Sequence, residues 1–218
     1  MKITEYIKDP GSAITHFIGF LMAAAAALPL LRKSASHNGS TTLYCMLIFI
    51  LSMLLLYAAS TTYHTFDVNS RVNRILQKID HCAISVLIAG TYTPVCVLVL
   101  KQPTGRNLCI LVWSIAIAGI LVKMFWITCP RWFSSVLYIG MGWACVTAFP
   151  SLLSDLERAA FYWFLAGGLL YTAGGIIYAL KLPAFNARHP YFGTHEIFHL
   201  FVMGGSVCHF IAMYFYIA

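Results

Sequence analysis

The sequence predicts an all-α polytopic membrane protein, a bundle of seven transmembrane helices, and three observations lead there. Of its 218 residues 60% are hydrophobic and only 10% charged, whereas soluble domains carry about 25% charged residues; mean hydropathy is +0.79. Apolar runs of about 20 residues, the length needed to cross a hydrocarbon core of roughly 30 Å, recur seven times. The connections between them are too short for a soluble domain, so residues 1–218 are expected to form one seven-span unit.

The first span, Ser12–Leu31, contains the alanine-rich "MAAAAALPL" and so imitates a signal peptide. Glu5 and Asp9 stand where a leader would be basic, however, and Arg32 and Lys33 follow directly, which is the pattern of a genuine span. The second, Leu43–Tyr63, runs into "STTYH" at Ser60 to His64. The third, Ile79–Leu100, opens with "KIDHCAIS" and carries Asp80 just inside the apolar region. The fourth and fifth cover Asn107–Ile127 and Trp132–Leu152. The tryptophans Trp113, Trp126, Trp132, Trp143 and Trp163 fit interfacial belts or lipid-facing packing. In the sixth, Ala160–Leu180, Gly167 and Gly174, then Gly168 and Gly175, repeat at seven and give a small-residue face for close helix contact. The seventh, Thr194–Ile217, begins with "HEIFH".

Charge sets the expected orientation. The amino end and the second, fourth and sixth connections carry nine basic residues (Lys2, Lys8, Arg71, Arg74, Lys78, Lys123, Arg131, Lys181, Arg188) and the opposite side five (Arg32, Lys33, Lys101, Arg106, Arg158). By the positive-inside rule the protein is expected in the cell membrane with its amino terminus cytoplasmic and its carboxyl end outside. The basic residues are dispersed along the chain, so the net charge of +7 does not indicate nucleic acid. The seven cysteines include no C-x-x-C pair and read as packing residues rather than a disulfide framework. There is no Gly-rich phosphate loop and no Ser-His-Asp spacing with a nucleophile elbow.

In this topology the end of the second span and the starts of the third and seventh share one depth. That depth holds Ser60, His64, Asp80, His195 and His199. Ser60 and His64 are four apart, as are His195 and His199, so each pair shares a helical face. An unpaired ionisable residue in this setting costs several kcal/mol and therefore faces a cavity or a partner. Three imidazoles with a water would make an open, catalytic type of zinc site, in which Asp80 helps to neutralise the ion.

These residues resemble the haemolysin III family, within the progestin and adiponectin receptor superfamily of seven-helix membrane proteins. The resemblance rests on "SAITHFIGF", "STTYHTF", "IDHCAISVLIAGTYTPV" and "GTHEIFHLFVMGGSVCHF", in order along nearly the whole chain. It implies one zinc ion on His64, His195 and His199, with Asp80 holding the zinc water and Ser60 supporting the site. His209 also matches the family pattern but lies about 15 Å along the helix from His199, too far to ligate. Glu5, Ser12, Thr15 and His16 match an amino-terminal signature whose chemistry the sequence does not reveal. His16, His37, His81 and His189 read as packing or interfacial residues.

The leading functional expectation is a zinc-dependent hydrolase of lipid amides or esters, resembling the ceramidase-like activity attributed to the superfamily, with a membrane lipid as substrate or ligand and a role in membrane homeostasis. Asp80 and Ser60 would be its catalytic groups. The alternatives are a receptor-like sensor with a structural zinc clamp, and a membrane-lytic protein; no amphipathic insertion segment supports the latter. H-E-x-x-H is also the signature of zinc proteases, with the glutamate as base. Here the downstream extension H-x-x-G-x-x-H is missing, so Glu196 is not expected to be catalytic.

Overall fold

A computed structural model describes residues 7–37, 39–180, 182–189 and 192–218. Lys2, Glu5 and Lys181 lie outside them. The described residues form helices and no strands, and seven helical segments are long and apolar enough to cross a membrane. They are α1 (Pro10–His37), α2 (Gly39–Thr65), α3 (Ser70–Pro94) continued by a π turn at Val95–Val99, α4 (Thr104–Phe125), a composite fifth segment, α7 (Arg158–Leu180), and α9 (Thr194–Ala212) with a terminal π turn at Met213–Ile217. A short helix α8 (Pro183–Arg188) precedes α9.

Local chemistry sets the boundaries. α3 starts nine residues before the apolar run because Asn69 caps it, its side chain accepting from the Arg71 and Val72 amides at 3.1 and 2.9 Å. The fifth segment is not the single α-helix expected over Trp132–Leu152. It is α5 (Arg131–Gly142), a 3₁₀ stretch (Trp143–Ala148) and α6 (Phe149–Asp155). Pro150 explains the break, since a proline ring clashes with the carbonyl four residues earlier and donates no hydrogen bond.

The segments close into a ring. α1 packs on α2, α2 on α3, α3 on α4, α5 on α7, α7 on α9, and α9 returns to α1. Large apolar side chains such as Leu51, Ile110 and Leu169 face outward, while Ser60, His64, Asp80, Lys123 and His199 are buried. This is the reverse of a soluble protein, and it is the arrangement expected where lipid is the solvent.

The glycine face of α7 divides in two. A Cβ at Gly174 would lie 2.9 Å from Phe201, so the Gly167–Gly174 row is what lets α7 and α9 approach. Gly168 has nothing within 4 Å of that position and borders an internal cavity. Two tryptophans also depart from the expected belt, since the indoles of Trp113 and Trp143 donate to Thr93 and Thr172 at 3.1 and 3.0 Å.

Candidate metal centre

α2 ends with His64 pointing inward, and α9 begins with His195 and His199 one helical turn apart. Ring closure between α1 and α9 brings the three together. One ligand nitrogen from each lies within 4.8 Å of the other two, with His64 and His199 buried. The Nε2 atoms of His64 and His195 face one another at 3.2 Å. Two imidazoles bound to a tetrahedral ion at 2.0–2.1 Å would hold their nitrogens about 3.3 Å apart, so the donor set fits such an ion.

Two of the three rings, His64 and His199, are fixed from behind. The Lys8 and Asp9 amides donate to the Thr65 and His64 carbonyls at 3.2 and 2.9 Å, stitching the approach to α1 onto the end of α2. The Asp9 carboxylate thereby accepts from His64 Nδ1 at 3.0 Å, which leaves Nε2 with a free lone pair. That hydrogen bond is the main cause holding the Asp9 carboxyl below its usual range. The stability this bond contributes is fully present above the usual carboxylate range and is lost as pH falls through the lowered value. On α1, the Thr15 hydroxyl donates to the Gly11 carbonyl at 2.9 Å. Its oxygen is left to accept from His199 Nδ1 at 3.1 Å, and His199 Nε2 is freed in turn.

The amino-terminal signature thus acquires a physical meaning, except for Glu5, which is not described. Ser12 donates to Glu196 at 2.5 Å, and Glu196 accepts from the Gly193 amide at 2.8 Å, capping the start of α9 from its own first turn. Glu196 therefore fastens the start of α9 to α1. His16, read from sequence as packing, lies stacked on His199 with ring centroids 3.5 Å apart at 11°. Both of its nitrogens are buried without a hydrogen-bond partner. Sequence reasoning missed Asp9, Thr15 and His16 as supports of the site; the i to i+7 spacing of Asp9 and His16 was the available signal.

Ser60 and Asp80 line one cavity with His16, His195 and His199. His81 sits beside Asp80, with Nδ1 2.9 Å from the Gln77 carbonyl and 3.4 Å from the carboxylate, and lines the cavity too. The cavity measures about 240 Å³ and its walls are otherwise almost wholly apolar. Along α3 it reaches from Asp80 to Val95, about 22 Å at 1.5 Å per residue, which exceeds one leaflet of the hydrocarbon core. His209 stands away from the three histidines, its Nε2 donating to the Phe164 carbonyl at 3.2 Å and its ring packed on Tyr171.

Comparison with known proteins agrees with this architecture. Residues 4–210 match the family described as Haemolysin-III related. The chain is similar to Hemolysin-3 of Bacillus cereus, at 35% identity over 99% of this chain and 95% of that protein. It is similar to the Hemolysin-3 homolog of Bacillus subtilis (strain 168), at 38% identity over 96% and 94%. At 24% identity it also matches the Adiponectin receptor protein of Drosophila melanogaster, over 93% of this chain and 49% of that one. A seven-helix membrane bundle with three histidines that could hold a metal ion, and relatives of this kind over its whole length, belongs to the haemolysin III family within the progestin and adiponectin receptor superfamily.

Proposed function

We propose that the protein is a zinc-dependent hydrolase of lipid amides or esters, with His64, His195 and His199 as ligands of one zinc ion. The observation that carries this reading is the placement of Asp80 and Ser60 on the wall of a long apolar cavity that also exposes His195 and His199. A pocket with apolar walls and a few convergent polar groups at one end suits an amphiphile, with its chain in the cavity and its polar linkage at the histidines. Three imidazoles rather than cysteines favour zinc and leave a ligand position open.

When bound, the ion would polarise the substrate carbonyl and acidify a water. The chain's residues supply the rest. Asp80, on the wall of that cavity, would accept a proton from the attacking water and pass it to the leaving group. Ser60 Oγ can donate a hydrogen bond to the carbonyl oxygen as charge develops there. The apolar walls exclude bulk water and align the chain. Lipid turnover by purified protein tests the reading: His64→Ala and Asp80→Ala should each abolish it, and turnover that survives in either rejects the assignment.

One observation favours a second reading, a sensor in which the metal is a clamp. Asp9, Thr15 and His16 couple α1 to ligands on α2 and α9, so an ion there ties three helices together. A pure clamp predicts that Asp80→Asn keeps metal, stability and signalling output. Hydrolysis predicts that the same variant keeps metal and loses turnover.

A further inference from the structure

Lys123 is the unexpected amine of this bundle. It sits in the last turn of α4 and is only 1% exposed. Among the described residues no carboxylate is within ion-pair distance of it. Its Nζ instead donates to Ser134 Oγ at 2.5 Å and to Cys129 Sγ at 3.0 Å, and lies 5.7 Å from the centre of the Tyr138 ring. Ser134 belongs to the first turn of α5, at the positive end of that helix's dipole. Most tellingly, Ser134 lines the large apolar cavity, whereas Lys123 and Cys129 stand behind it and do not.

A serine on the wall of an apolar cavity, an amine within hydrogen-bond reach behind it, and a third group orienting the amine are the parts of an activated nucleophile. Serine with lysine in place of histidine is a recognised version. We propose that Ser134 is a nucleophile for acyl transfer from a long-chain ester held in the cavity, with Lys123 as its base. This centre is distinct from the histidine cluster and does not depend on it.

With the amine unprotonated, the Ser134 hydroxyl proton passes to Nζ as Oγ bonds to the ester carbonyl carbon. The carbon–oxygen bond to the alcohol breaks, and Nζ returns the proton to the departing alkoxide. Water then attacks the acyl-serine, giving up a proton to Nζ, which hands it to Ser134 Oγ as the free acid leaves. The sum is ester plus water to acid plus alcohol, with Ser134 and Lys123 restored. Cys129 Sγ is 3.5 Å from Ser134 Oγ but does not reach the cavity, so its part is to hold the amine.

The test uses an alkyl fluorophosphonate with a long chain on the purified full-length protein in detergent, followed by peptide mapping. The expected result is a label on Ser134 that is lost in Ser134→Ala, kept in Ser154→Ala and unchanged after chelation of metal. Lys123→Met should slow labelling by at least about tenfold, since a general base contributes roughly 10²–10⁴. Should Lys123→Met not fold, Lys123→Arg supplies the test, because it keeps hydrogen-bond donors beside Ser134 and Cys129 but offers no base. A folded Lys123→Arg protein that labels at the wild-type rate overturns the proposal and leaves Lys123 a structural pin of the α4–α5 turn. Absence of label on Ser134, or label that disappears with the metal, overturns it equally.

Discussion

At the scale of single residues, the site is organised by what the outer nitrogens of its histidines do. His64 and His199 each give Nδ1 to an oxygen from the amino-terminal segment, Asp9 and Thr15 respectively. Each is thus left in the tautomer whose Nε2 can bind a metal. Partners of this kind are worth roughly 10–100-fold in metal affinity. Asp9→Ala and Thr15→Val should each weaken binding by that factor in a competitive chelator titration while helix content stays constant. Undiminished affinity in both would mean that α1 does not support the ligands. Neither oxygen stands near His64 or His199 in the chain, so the sequence showed the rings that could hold a metal but not what orients them.

At the scale of elements, α9 matters most because it is gripped on two sides. Its first turn is held to α1 through Glu196 and Ser12, and its flank packs on the glycine row of α7. Glu196→Ala removes the acceptor of the Gly193 amide and of Ser12 and should lower stability by about 1 kcal/mol in a thermal unfolding experiment. It should keep metal stoichiometry, and under the proposed hydrolase reading lipid turnover should fall by no more than a few-fold; complete loss of turnover with metal retained would make Glu196 a base. The two glycine rows should separate cleanly. Gly174→Val, directed at Phe201, should cost about 1–3 kcal/mol by overpacking, whereas Gly168→Ala, directed at open space, should stay within about 0.5 kcal/mol. Equal effects at both positions would show that the rows are equivalent. The repeat at seven was visible in the sequence. Which row meets α9 and which borders the cavity depends on how α7 is rotated, and the repeat carries no information about that.

At the scale of the whole molecule, the histidine cluster lies where the first and last helices close the ring, so metal should act as a fastener of the bundle. Metal at a free concentration of 100 times its Kd stabilises the folded state by about 2.7 kcal/mol. Chelation should therefore lower the melting temperature and readdition should restore it, while the triple alanine variant of His64, His195 and His199 should melt like the chelated protein and not respond. A melting temperature indifferent to metal in the wild-type chain would separate the cluster from folding.

The seven spans were legible because each announces itself within about 20 consecutive residues by hydropathy alone, a property that needs no partner. The three histidines and Asp80 were legible for a related reason: ionisable groups cost so much in an apolar run that they stand out against it. Local chemistry that overrides hydropathy was less so, as the break before Pro150 in the fifth segment shows. What only the tertiary structure decided is which groups meet across helices: Asp9 with His64, Thr15 and His16 with His199, Ser134 with Lys123. Those meetings follow from the rotation and depth of each helix in the ring. Both are set by side-chain packing between segments remote in the chain, which the period of any one segment does not encode.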